Sequence, residues 1–200
     1  MIMSVARLDT LTELVTLGIG RSAEVLNLIL NEHIELSAPI ISILDVGELP
    51  EILKADEDRL SAVSMRYAGS MDGVTELIFR SKEAGKLVDC ITGEENRTEE
   101  GLDALRAGTL CEVGNVVINS LMGAISNELD FHLTYTVPTY LEGGVDVLVA
   151  EAKLAEARAV LLAKTVFNVA TLRIEGEIAV FMSLASLHYL EKALDLYLAR

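Results

Sequence analysis

The stretch Leu110-Cys111-Glu112-Val113-Gly114-Asn115-Val116-Val117-Ile118-Asn119-Ser120-Leu121 decides how the chain is read. At about 100° per residue, Leu110, Val113, Val117 and Leu121 gather on one side of a helix, while Glu112, Asn115 and Asn119 share the other. A carboxylate and a carboxamide one turn apart thus project from a helix whose back is turned to a core.

Working outward, the same arrangement recurs in altered form 99 positions earlier. Asp9-x3-Glu13-x2-Thr16 stands where Gly108-x3-Glu112-x2-Asn115 stands later, and Pro39 lies as far beyond Thr16 as Pro138 lies beyond Asn115. Four positions at one offset predict an internal duplication, with repeats over about 8–94 and 98–200 forming a single domain, 1–200.

The hydrophobic pattern supplies the elements. Leu11, Leu14, Leu17, Val25, Leu26 and Ile29 predict a helix over 11–31, capped by Asp9 or Thr10. Gly18 and Gly20 within it suit close approach of another backbone. Residues 34–44 read as extended, with Pro39 favouring an edge or a bulge. A short helical turn follows at 47–53, and residues 60–67 and 74–79 predict a hairpin joined at Gly69–Gly73. A helix over 81–88, capped by Ser81, leads to a linker-like stretch at 93–98 that marks the boundary between repeats. The acidic run Asp56-Glu57-Asp58 reads as a solvated turn. In the second half the expected order is a helix over 98–129 with a break near Gly108, an extended 131–138, a helix over 145–157, strands over 159–167 and 170–181, and an amphipathic helix over 183–200 carrying Leu187, Leu190, Leu194 and Leu198. The predicted class is α+β: an internally duplicated, six-stranded, mainly antiparallel sheet with two long pseudo-twofold-related helices on it.

Composition bounds the partners. The 200 residues are 51% hydrophobic and lack Trp, so the core is aliphatic; 31 acidic against 16 basic side chains give a net charge of −15. Such a surface argues against binding nucleic acid or anionic lipid. Cys90 and Cys111 lack the clustering of a zinc site or disulfide framework. The first residues do not resemble a signal peptide, and no uninterrupted run approaches the ~20 apolar residues that cross a bilayer. A cytoplasmic location without membrane insertion is the expectation. His33, His132 and His188 share no ligand spacing, so no metal site is expected. Gly18-x-Gly20 lacks the flanking pattern of a phosphate-binding loop.

Glu112-x2-Asn115-x22-Pro138 resembles the signature of the CheC/CheX/FliY family of chemotaxis phosphatases, which reads Asp or Ser, three residues, Glu, two residues, Asn, twenty-two residues, Pro. The duplicated order of elements extends the resemblance over essentially the whole chain, and the ending at Arg200 reads as a free-standing CheC-like protein. The second half departs from the pattern at Gly108, and the first half departs at Thr16. The resemblance implies hydrolysis of the aspartyl phosphate of a phosphorylated CheY-type response regulator. It assigns Asn115 to orienting the attacking water and Glu112 to the regulator's lysine. It gives the protein no cofactor of its own, Mg²⁺ being supplied in the regulator's site. Asp9, Glu13 and Thr16 are then a degenerate second site, and Pro39 and Pro138 the motif prolines. The alternative is a catalytically weak module that binds a response regulator, the deamidase CheD or a flagellar switch component. A solvated pair on an amphipathic helix would also give Glu-x-x-Asn; the paired proline spacing sets this pair apart. Asn119 reads as a solvated or helix-supporting residue.

Overall fold

Residues 3–29, 33–53, 59–93, 99–169 and 171–200 are described in a computed structural model, with side chains in the fourth helix from residue 104 onward. The elements are α1 (Val5–Ile29), β1 (Ile34–Leu36), β2 (Ile40–Asp45), a 3-10 turn (Val46–Glu48), α2 (Leu49–Ile52), β3 (Leu60–Gly69), β4 (Gly73–Arg80) and α3 (Ser81–Thr92). They continue as α4 (Glu99–Glu128), β5 (Leu133–Tyr135), β6 (Thr139–Gly143), α5 (Val145–Leu154), β7 (Ala159–Val169), β8 (Leu172–Met182) and α6 (Leu184–Leu198). The class is α+β, with one sheet in which every pairing is antiparallel.

The expected six strands are eight segments filling six positions. Across the sheet these run β1 and β2, then β7, β8, β4, β3, then β5 and β6. Each outer position is split by a bulge. Leu36 pairs with Phe167 and Ile40 with Lys164, so Ser37, Ala38 and Pro39 stand against only two residues of β7. At the other edge Tyr135 pairs with Tyr67 and Thr139 with Ser64, which sets Thr136, Val137 and Pro138 against two residues of β3. A proline cannot donate to the ladder, so hydroxyl side chains supply part of the lost bonding. Ser37 Oγ accepts from the Val166 N–H at 2.9 Å, and Thr136 Oγ1 accepts from the Arg66 N–H at 3.1 Å. The two edges correspond in register: moving Ile34 forward by 99 and its partner Val169 back by 100 gives Leu133 and Gly69, a pair of the opposite edge.

Alternation in the strands separates two cores. Val63, Met65 and Tyr67 of β3 face the layer made by α1, α3, α4 and α6, whereas Leu60 and Ala62 face α2, the 3-10 turn and α5. The second layer was not part of the expectation from sequence, because α2 has only four residues and its apolar side chains are too few to show a period. The central strand β4 is buried from Gly73 to Phe79, so it carries side chains into both layers. Phe79 of β4 meets Phe167 of β7 edge-on, at a ring-centroid distance of 5.1 Å.

Several boundaries differ from the sequence reading. α1 begins at Val5, which places Asp9 and Thr10 inside the helix; the Ser4 hydroxyl accepts from the Arg7 N–H, and Arg7 forms an ion pair with Asp195 of α6 at 2.7 Å. α4 runs unbroken through Gly108, because burial of the side facing the core outweighs the ~1 kcal/mol cost of one exposed glycine. Ser81 is the first residue of α3 and makes no cap; its hydroxyl meets that of Ser61 at 2.9 Å. Ser183 does cap α6, where Leu187, Leu190 and Leu194 are buried and Leu198 is exposed. The 3-10 turn before α2 has a capping box in which Asp45 and Glu48 satisfy each other's backbone N–H groups. The boundary near residue 95, the run Asp56–Asp58, the final residues of the first expected helix and Ala170 lie outside the described residues.

Candidate functional site on the long helices

The quoted stretch lies in the middle of α4. Leu110, Val113, Val117 and Leu121 are each at most 1% exposed, whereas Glu112 is exposed and Asn115 half-buried. Glu112 and Asn115 are therefore displayed together from a helix held rigid on its other side. The helix sits directly on the sheet: a Cβ at Gly114 would lie 2.5 Å from Val63 Cγ1. No larger residue fits there without moving α4 off β3, so the residue next to Asn115 sets its height above the sheet. Glycine at 114 was visible in the sequence, but its partner across the fold was not.

Asn119, one further turn along, is exposed, and its Nδ2 donates to Asn115 Oδ1 at 2.7 Å. The carboxamide of Asn115 is thus held by a neighbour, an i to i+4 bond of the kind that the helix-supporting reading of Asn119 allows. The helical spacing alone permitted it. Cys111 lies on the other side of Glu112. Burial, and then the Glu112 charge, push its thiol above the usual range, so it is not poised as a nucleophile.

On α1, Asp9, Glu13 and Thr16 are all exposed on one helix face. Thr16 donates its hydroxyl proton to the Thr12 carbonyl at 2.7 Å, which turns the side chain back onto its own helix. Beside it lies an open hollow of about 520 Å³ bordered by Glu13, Thr16, Gly20 and Arg21. Position 20 corresponds to Asn119 at the 99-residue offset, and a Cβ there would meet nothing within 4 Å. Of the two glycines expected to admit another backbone, only Gly18 does so: a Cβ at Gly18 would lie 2.6 Å from Leu121 Cα of α4. Pro39 and Pro138 occupy the edge bulges, and Gly108 is exposed on α4 with no atom near its missing Cβ. His33 Nε2 lies 3.1 Å from Glu35 Oε1. Among the described residues, no three of His, Cys, Asp and Glu gather closely enough to hold a metal ion. The segment Ala104–Glu128 of α4 is long and apolar enough to cross a membrane; here its apolar side is buried in the core between the sheet and α1.

A second charged feature lies under α5. Glu76 in β4 is fully buried, and neither carboxyl oxygen makes a well-formed hydrogen bond among the described residues; the Ser64 hydroxyl on the paired strand is the one group that favours its charged form. Burial, and then the charge of Glu151, raise its pKa to about 8. Glu151 itself is paired with Arg66 at 2.8 Å.

No family model matches the chain. In sequence it is 24% identical, over 134 residues, to the CheY-P phosphatase CheC of Bacillus subtilis (strain 168); the match covers 66% of this chain, which spans 64% of the length of that curated relative. Among solved structures, Thermotoga maritima FliY superposes with a TM-score of 0.76 at 16% identity, covering 98% of this chain and all of that one. FliM in the FliG–FliM complex from H. pylori gives 0.66 at 13% identity, over 95% of this chain and 100% of the other. The CheX–CheY–BeF3–Mg complex from Borrelia burgdorferi gives 0.53 at 18% identity, over 83% and 96%. The fold of this chain is the one shared by these structures, and on fold and sequence together the chain resembles the CheC/CheX/FliY family.

Proposed function

We propose that this protein is a phosphatase acting on the aspartyl phosphate of a CheY-type response regulator, and that it works in the cytoplasm to end a chemotaxis signal. The observation that carries the reading is the joint display of Glu112 and Asn115, one turn apart on a helix whose opposite side is immobilised in the core. The sequence likeness to CheC, a CheY-P phosphatase, and the fold likeness to CheX in its complex with CheY support it.

An acyl phosphate has a good leaving group, so the enzyme needs little covalent chemistry. Water attacks phosphorus, the bond from phosphorus to the aspartate oxygen breaks, and the products are inorganic phosphate and the free carboxylate. Catalysis then rests on positioning and on charge already present in the regulator, including its Mg²⁺. A carboxamide is no base near neutral pH, but the free lone pair of Asn115 Oδ1 can accept from the water and hold it in line. Glu112, exposed in the free protein, would meet the regulator's lysine and fix the register of the two proteins. The face formed by Asp9, Glu13 and Thr16 lacks the carboxamide and is weak or silent.

The test measures phosphate release from the phosphorylated regulator together with regulator affinity. Asn115→Ala should lose turnover by about 100-fold while still binding. Glu112→Ala should also weaken the complex, by about 2–5 kcal/mol for a buried charge pair. Full turnover in Asn115→Ala would refute the phosphatase and leave a second reading, a module that docks a response regulator, CheD or a flagellar switch component. The fold likeness to FliM in its complex with FliG favours that second reading over an unrelated binding role.

A further inference from the structure

We infer that Asn119 is a positioning residue for Asn115, fixing which end of its carboxamide faces the water. The inference rests on the phosphatase reading and adds a residue to it.

A carboxamide presents an oxygen with two lone pairs at one end and two N–H donors at the other, and rotation about χ2 exchanges them. On a half-exposed helix face, an unrestrained Asn115 would offer the wrong end for much of the time. In the observed arrangement Asn119 opposes that rotation, because turning Asn115 over would set its N–H end against the N–H end of Asn119 unless both turned together. Its Nδ2 donates to Asn115 Oδ1 at 2.7 Å, a separation well inside the hydrogen-bonding range. One lone pair of Oδ1 is thereby occupied, and the oxygen is held on the side of Asn119. The second lone pair stays free to accept from a water, and the amide N–H groups of Asn115 are directed away from it. Donation into the carbonyl also polarises the amide, which strengthens the bonds made by its N–H groups.

The other long helix provides a natural contrast. The positions corresponding to Asn115 and Asn119 are Thr16 and Gly20. Gly20 has open space where a side chain would stand, and Thr16 bonds to its own helix. The α1 face therefore lacks both the carboxamide and its brace. The two faces differ by a coupled pair of residues.

The experiment compares Asn119→Asp and Asn119→Ala with the parent and Asn115→Ala, using a CheY-type regulator phosphorylated by acetyl phosphate. Aspartate has nearly the shape of asparagine but only accepts, so it draws Asn115 Nδ2 toward itself and turns the carboxamide over. Asn119→Asp should lower kcat by about tenfold with KM unchanged, and Asn119→Ala by somewhat less, since it frees the amide without inverting it. A merely solvated or helix-supporting residue would tolerate aspartate. A readout independent of turnover is the side-chain amide of Asn119: its hydrogen exchange should be slowed in the free protein and accelerate in Asn115→Ala. If both position-119 variants turn over within about twofold of the parent while Asn115→Ala is inactive, the inference is overturned and the phosphatase reading stands. Full turnover in Asn115→Ala overturns both, because no water is then being held for Asn119 to align.

Discussion

The outward faces of α1 and α4 are the two regions most worth setting side by side. Both helices are long, both lie in the same layer over the same sheet, and both display a glutamate at corresponding positions, Glu13 and Glu112. They part at the next turns. α4 carries Asn115 braced by Asn119, and α1 carries Thr16 bonded to Thr12 beside the space left by Gly20. The scaffold is common to both faces, while the chemistry lies in side chains that the scaffold does not need. Thr16 and Gly20 are both exposed, so their identities touch no core contact, and the fold bears only the cost of about 1 kcal/mol of a glycine inside a helix.

The contrast can be broken first through the backbone. Gly18→Ala should destabilise the protein by about 1–3 kcal/mol, because the added methyl runs into Leu121 Cα, whereas Gly20→Ala should stabilise it by up to about 1 kcal/mol through helix propensity alone. Urea unfolding of the two variants would show opposite shifts of midpoint. Equal shifts would mean that α1 and α4 are not in the close contact described.

A second contrast lies beneath the other layer, where the adjacent strands β4 and β8 carry glutamates with different neighbours. In register, Glu177 of β8 lies opposite Lys164, while Glu76 of β4 lies opposite Ser64. Burial raises the pKa of both, but Lys164 and then Arg80 hold Glu177 back, and Glu76 has only Ser64 opposing the rise. The native state keeps the Glu76 proton to about pH 8, against an ordinary value of 4.5. Between those limits the folded form binds more protons than the unfolded form, so stability falls as pH rises from about 4.5 to about 8 and then levels. Glu76→Gln should remove this slope, raising Tm by a few degrees at pH 8 and by almost nothing at pH 4. Thermal melts across that range check it.

The smallest expected effect sharpens the first comparison. Thr16→Ala should leave phosphate release unchanged, and Thr16→Asn alone should add little, because its carboxamide would have no brace. Thr16→Asn with Gly20→Asn should add a measurable increment when assayed in the Asn115→Ala background. If Thr16→Asn alone restores as much as the pair, bracing is unnecessary on the α1 face.

Much of this was legible in the sequence. The order of helices and strands followed from apolar periodicity, and the outward placement of Glu112, exposed, and Asn115, half-buried, followed from the spacing of Leu110, Val113, Val117 and Leu121. What periodicity could not carry was contact across the fold. Gly114 and Val63 are far apart in the chain, and neither announces the other. Glu76 looks like the polar position of a half-exposed strand until a second layer, built from α2 and α5, closes over β4. Ser81 was a plausible cap, yet its hydroxyl went to Ser61 on the neighbouring strand. The Asn119 bond lay within reach of helical geometry, but i to i+4 neighbours on a wet face usually bond to water, so spacing alone gave no reason to choose it.

The two edge bulges bear on how the molecule behaves in a crowd. An open sheet offers two unpaired borders, and a straight border is a template on which another chain can add a strand. Here each border is cut into pieces of three and five or six residues, bent where one residue too many is inserted, and deprived of an N–H at Pro39 or Pro138. An incoming strand would lose its hydrogen-bond register at the break, after three residues from one side or five to six from the other. Pro39 and Pro138 thereby blunt both borders against edge-to-edge pairing, a service that neither long helix performs.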